Sequence, residues 1–88
     1  MLVTLDTFRG DFLGASGSRR WSTPSLDGLA SRGVLFTRAR AAALLTLPSH
    51  ASILTGLYPP EHGVRGKGSF RLEDRARTLA EALREPGL

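Results

Sequence analysis

Two short β-favouring runs place the strongest constraint on how this chain can fold. Residues 2–5 (Leu2, Val3, Thr4, Leu5) and residues 34–37 (Val34, Leu35, Phe36, Thr37) each have the length and composition of a buried strand. A helical segment lies between them. Thr23 and Pro24 mark its start, because a threonine hydroxyl can cap helix-start amides and proline at the first position loses no needed donor. Leu26, Leu29 and Ala30 give the i, i+3, i+4 apolar stripe, and Gly33 is a natural stop. Strand, helix and strand at this spacing predict a crossover unit rather than a hairpin. Two strands make a poor sheet for the helices that follow. The expectation is an α/β protein of which these 88 residues are the opening section, not a complete enzyme.

Size and composition narrow the chemistry. One small domain is the most that 88 residues can hold, and the 41% hydrophobic content argues for packing rather than disorder. The chain has no cysteine, which excludes disulfides, thiolate nucleophiles and sulfur-ligated zinc. No apolar run approaches the ~20 residues that cross a bilayer. The start, Met1 to Asp6, lacks the basic leader and long apolar stretch of a signal peptide. The net charge of +4 invites a nucleic-acid reading. The arginines are scattered, however, and Arg19, Arg20 and Trp21 form one aromatic-basic cluster with no binding motif around it. No specific nucleic-acid partner is expected, whereas attraction to an anionic substrate is compatible with the charge.

The chemistry concentrates in residues 45–56. Thr46, Pro48, Ser49 and His50 fall within five consecutive positions, ahead of an apolar helical run that ends at Gly56. The pattern predicts a helix over 48–54. Unpaired amides at such a start favour a phosphate or sulfate group, and also a deprotonated oxygen nearby. Threonine is a poor nucleophile at its ordinary pKa and needs a base or a metal. Asp6 is the obvious hard-metal ligand, at the C-terminal end of the first strand-like run, where ligands gather in open α/β sheets. A divalent metal held by Asp6 and the Thr46 oxygen would activate the hydroxyl and neutralise a transferring group. Thr46 and Ser49 also suit plain helix caps, and the two roles can coexist.

The other candidates carry less. His50 suits contact with an anionic substrate oxygen, or a capping or packing role. His62, before Gly63, suits a structural hydrogen-bonder. Asp6, Asp11 and the two histidines have no recognised ligand spacing, so a full metal centre does not follow from them. Lys67 lies between Gly66 and Gly68, but the surrounding residues do not match a P-loop. Asp27, Glu73 and Asp74 read as helix or surface acids. Thr78 and Glu81 form a capping box for a last helix, with Leu79 and Leu83 as its apolar face and Gly87 as its stop.

With these residues in place, the chain resembles the N-terminal part of the sulfatase family within the alkaline phosphatase-like superfamily. The resemblance runs through residues 2–11, 23–30, 33–37, 46–56, 57–64 and 78–81, so residues 1–88 are similar to the opening of one catalytic domain. It implies the N-terminal portion of an alkaline phosphatase-like α/β/α sandwich, with the C-terminal part of the domain missing from this chain. Asp6 then matches the family's metal-binding aspartate, and Thr7 stands where many members carry a second one. Thr46 takes the place of the cysteine or serine that sulfatases convert to formylglycine, an aldehyde that threonine cannot yield. His50 stands at the position of the arginine that supports formylglycine. Lys67 lies near an asparagine that contacts substrate oxygens in related sequences.

An unmodified threonine points to metal-assisted phosphoryl transfer. The leading expectation is therefore a phosphoester or phosphodiester hydrolase or phosphotransferase with Thr46 as nucleophile, His50 beside it, and zinc or manganese favoured over calcium. The alternatives are a sulfuric ester hydrolase, and a non-catalytic truncated product or basic binding module. The isolated 88 residues are expected to lack hydrolase activity.

Overall fold

The computed structural model describes residues 1–84, so the expected stop at Gly87 lies outside the described residues. The chain divides into two compact units, Met1–Ala39 and Arg40–Leu88. The first holds two 3₁₀ turns, Gly10–Phe12 and Gly14–Ser16, and helix α1, Pro24–Arg32. The second holds α2, Thr46–Thr55, the single turn α3, Pro59–His62, and α4, Leu79–Arg84.

Neither predicted strand forms. Among the described residues there is no strand, and residues 2–5 and 34–37 run without a ladder. Their side chains face solvent, with Val3 65% and Val34 81% exposed. A strand is held by a hydrogen-bonded ladder to a neighbour and by burial of its apolar face, and these segments form no ladder and are largely exposed. The α/β sandwich is therefore absent from the described residues. The apolar stripe of α1 is likewise open, with Leu29 64% exposed.

The first unit is organised by a polar clasp. Asp27 Oδ1 accepts from the Ala15 amide at 2.7 Å and from the Thr23 hydroxyl at 2.9 Å. Thr23 Oγ1 in turn accepts from the Gly14 amide at 2.8 Å. Thr23 stands at the N-cap of α1 but makes no side-chain capping bond, because its hydroxyl is committed to this loop. A Cβ on residue 14 would come 2.9 Å from Asp27 Oδ1, so the carboxylate can approach this closely only over glycine. Beside the clasp, Phe12 meets Trp21 edge to face at 5.9 Å, and the Arg9 guanidinium lies 5.2 Å from the Phe12 ring centre.

The second unit is built around four buried residues, Pro48, His62, Val64 and Ala76. Helix α2 starts two residues earlier than predicted. Its ladder begins with Ser49 N–H bonding Leu45 C=O at 3.1 Å, so Pro48 precedes the first donor the helix needs. Gly56 ends α2 in the left-handed conformation, φ 72°, which glycine adopts without a Cβ penalty. The chain then folds back through α3 and Gly63, φ 81°. Glu73 N–H bonds His62 C=O at 3.2 Å and returns the chain across that turn. The capping box of α4 is present: the Thr78 amide and hydroxyl donate to Glu81 Oε2 at 2.7 and 2.8 Å.

Two outcomes test these anchors. Gly14→Ala should displace the Asp27 carboxylate and cost the first unit about 1–2 kcal/mol, the worth of the bonds lost. Urea unfolding followed by fluorescence of Trp21, the single tryptophan, reads this directly. Hydrogen bonds from the Thr78 backbone and then its side chain hold the Glu81 carboxyl below its ordinary pKa. A depressed carboxyl contributes stability above its unfolded pKa and loses it as pH falls through the folded value. Helix α4 should therefore fray as pH drops through the acidic range below the ordinary glutamate pKa. Glu81→Gln should weaken α4 at neutral pH and remove that pH dependence in amide chemical shifts.

Candidate functional site

The start of α2 is the candidate site. Leu45 occupies the N-cap with extended dihedrals, φ −96° and ψ 143°, and makes no side-chain capping bond. Neither Thr46 nor Ser49 therefore holds the N-cap position that the capping reading required. Thr46 is the first helical residue and is exposed. Backbone N–H groups of this first turn precede the ladder, and they form the positive end of the helix dipole.

Helical geometry divides α2 into two faces. At roughly 100° per residue, Thr46 and His50 stand about 40° apart, and Pro48 and Ser52 stand about 40° apart on the opposite side. Pro48 is buried, whereas Thr46 is exposed and His50 partly so. His50 Nδ1 lies 2.9 Å from the Thr46 carbonyl oxygen. A carbonyl only accepts, so Nδ1 carries the hydrogen and Nε2 is the basic nitrogen of the neutral ring. The bond pins the imidazole over the first turn of the helix.

His62 has the reverse arrangement. Its ring is fully buried, and its Nδ1 accepts from the Val64 amide at 3.1 Å. The hydrogen of the neutral ring is then on Nε2, which donates to Ser52 Oγ at 3.0 Å. Both nitrogens are committed within the fold, and His62 acts as the structural hydrogen-bonder its position before Gly63 suggested. Ser52 was not legible as its partner, although its i+4 relation to Pro48 placed it on the same helix face.

The remaining candidates are distributed differently. Asp6 and Thr7 belong to the first unit, in a turn closed by Phe8 N–H to Leu5 C=O at 3.4 Å. Thr7 has φ 57°, a left-handed conformation that costs a β-branched residue about 1–2 kcal/mol. Asp11 is gripped by Arg9 through two bonds of 3.0 and 2.7 Å, and the Arg9 hydrogen bond lowers its pKa. Lys67 is exposed between Gly66 and Gly68. The structure thus brings Thr46 and His50 into one helical turn, while Asp6 lies in the other unit.

The family model described as Sulfatase matches residues 1–88. The chain belongs to the sulfatase family. Mouse steryl-sulfatase is 43% identical over 68 residues, covering 77% of this chain and 11% of that protein. An arylsulfatase of Clostridium perfringens is 41% identical over 63 residues, covering 72% of this chain and 13% of its own length. The N-acetylgalactosamine-6-O-sulfatase of Bacteroides thetaiotaomicron is 35% identical over 79 residues, 85% of this chain and 16% of its length. The chain therefore spans 11–16% of the length of these three relatives. No solved structure matches it.

These relatives are named as sulfatases, so they give the phosphoester expectation no support and favour the sulfuric ester alternative. Sulfatase family members generally use a divalent metal ion. Among the described residues of this chain, no three His, Asp or Glu side chains gather in a way that could hold one. One carboxylate at Asp6 and one hydroxyl at Thr46 do not make a closed site for zinc, manganese or calcium. Among the described residues, no helix is long and apolar enough to cross a membrane.

The two histidines of this chain should show opposite neutral tautomers. Long-range ¹⁵N spectra of the imidazoles should place the hydrogen on Nδ1 in His50 and on Nε2 in His62. The same tautomer at both would contradict the geometry of α2 and its contact with His62.

Proposed function

We propose that this chain is the opening segment of a catalytic domain that hydrolyses an anionic sulfate ester, with Thr46 as the attacking hydroxyl. The observation that carries the reading is the sulfatase match over residues 1–88. The exposed position of Thr46 at the head of α2 supports its role. In the first step the Thr46 oxygen forms a bond to sulfur and the bond from sulfur to the leaving alcohol breaks. His50 Nε2, one helical turn away, takes the hydroxyl proton and later returns it to the alcohol. Amides of the first turn of α2 favour the negative charge on the transferring group.

Threonine has one oxygen on its β-carbon, so no second hydroxyl can expel sulfate from the same atom. The second step is attack of water on the sulfur of the threonine sulfate, which releases sulfate and restores Thr46. In this reading Asp6 contributes one donor to a divalent metal, and the other donors come from outside these 88 residues. The rest of the domain also supplies the strands that pair with residues 2–5 and 34–37 in an alkaline phosphatase-like α/β/α sandwich. The open apolar side chains of Val34 and Phe36 support that completion.

Steady-state assays of the full-length protein with an aryl sulfate, an aryl phosphate and an aryl phosphodiester test this reading. Sulfate ester turnover should dominate, and Thr46→Ala should lower it by about a thousandfold or more. Preferred turnover of phosphoesters would overturn the sulfate assignment and restore the phosphoryl-transfer alternative, which the unmodified Thr46 favours. Unchanged turnover in Thr46→Ala would remove Thr46 from the nucleophile role.

A further inference from the structure

We propose that Ser52 and His62 form a positioning clamp that fixes the rotation of α2 about its own axis and so aims Thr46 and His50. Four bonds meet at His62, whose own amide donates to Tyr58 C=O at 3.1 Å within α3. Nε2–H donates to Ser52 Oγ at 3.0 Å, Nδ1 accepts from the Val64 amide at 3.1 Å, and the carbonyl accepts from the Glu73 amide at 3.2 Å. The ring has no exposed surface, and Val64 is 3% exposed, so water cannot replace either ring bond at low cost. The turn that carries His62 is itself fixed. Glu61 accepts from the Tyr58 amide at 2.9 Å, and the Gly63 amide bonds Pro59 C=O at 3.1 Å.

The clamp grips one face of α2. Ser52 and Pro48 share the face opposite Thr46 and His50, and Pro48 is buried there. Apolar burial of Pro48 sets how close the helix lies but is indifferent to small rotations. A directional bond at Ser52 is not, because hydrogen bonds weaken steeply away from their preferred angle. Turning α2 about its axis would break the Ser52 bond and leave a buried Nε2–H without an acceptor. Ser52 and His62 are thus positioning residues and touch no reacting atom. Their bearing on turnover rests on the proposed role of Thr46, whereas the clamp itself does not.

Hydrogen exchange and imidazole ¹⁵N spectra of the 88-residue chain test the clamp without any turnover. Ser52→Ala removes the acceptor, and Ser52→Thr keeps it. In Ser52→Ala the amides of Ser49, His50 and Ala51 should exchange about fivefold faster, and the His50 Nδ1–H resonance should shift or broaden. Ser52→Thr should restore both, and Trp21 fluorescence should stay unchanged in all variants. His62→Asn keeps an acceptor for Val64 but loses the donor to Ser52, so it should reproduce Ser52→Ala. Unchanged exchange and an unchanged His50 resonance in a folded Ser52→Ala chain would overturn the clamp. A wild-type spectrum with the His62 hydrogen on Nδ1 would overturn it whether or not the variants fold. Loss of turnover in Thr46→Ala with an intact clamp signature, or the reverse, separates this inference from the proposed reaction.

Discussion

A single buried imidazole organises the second unit. His62 is the one fully buried polar side chain among the described residues, and each of its ring nitrogens has a partner. Burying such a ring is tolerable only when both its donor and its acceptor are satisfied. That requirement draws together the middle of α2 through Ser52 and the residue beyond the α3 turn through Val64, while the His62 backbone carbonyl holds the returning chain at Glu73. Apolar burial in this unit is slight, so directional polar bonds carry an unusual share of its specificity.

The same contact gives α2 two different faces. The side against His62 is committed to packing, with Pro48 buried and Ser52 bonded. The other side carries Thr46 and His50 at the positive end of the helix. Pro48 serves both sides: it removes a backbone donor where the helix needs none and packs against the core. The result is a hydroxyl and an imidazole held on the first turn of a helix whose orientation is set from behind. Such preorganisation is what chemistry on an anionic ester requires of a scaffold.

The first unit uses the same strategy with other residues. Its loop is tied to α1 by Thr23 and Asp27, and Gly14 is the residue small enough to let the carboxylate approach. Its apolar side chains remain largely outside. A unit closed by a polar clasp and rich in exposed apolar surface is suited to receive further structure, in keeping with a chain that spans a small fraction of its relatives.

Helices α1, α2 and α4, the stops at Gly33 and Gly56 and the capping box were legible in the residues, because each depends on neighbours within a few positions. Thr78 and Glu81 meet across one turn, and Gly56 ends α2 for a local steric reason. The family was legible too, through ordered short motifs along the whole chain. The strands were read from composition, but a strand exists only in a ladder with a neighbouring strand, and residues 2–5 and 34–37 form no ladder here. The capping role expected of Thr23 failed for a related reason, since its hydroxyl accepts from the Gly14 amide 9 residues away; Asp27 is the helix acid expected, but its bond to the Ala15 amide, 12 residues away, was not legible. What the sequence determined alone was the chemistry on offer: Thr46, His50, Asp6 and a helix start to carry the first two. Which histidine faces the site and which locks the fold was decided only by tertiary packing, because that choice depends on where Ser52 and the Val64 amide come to lie.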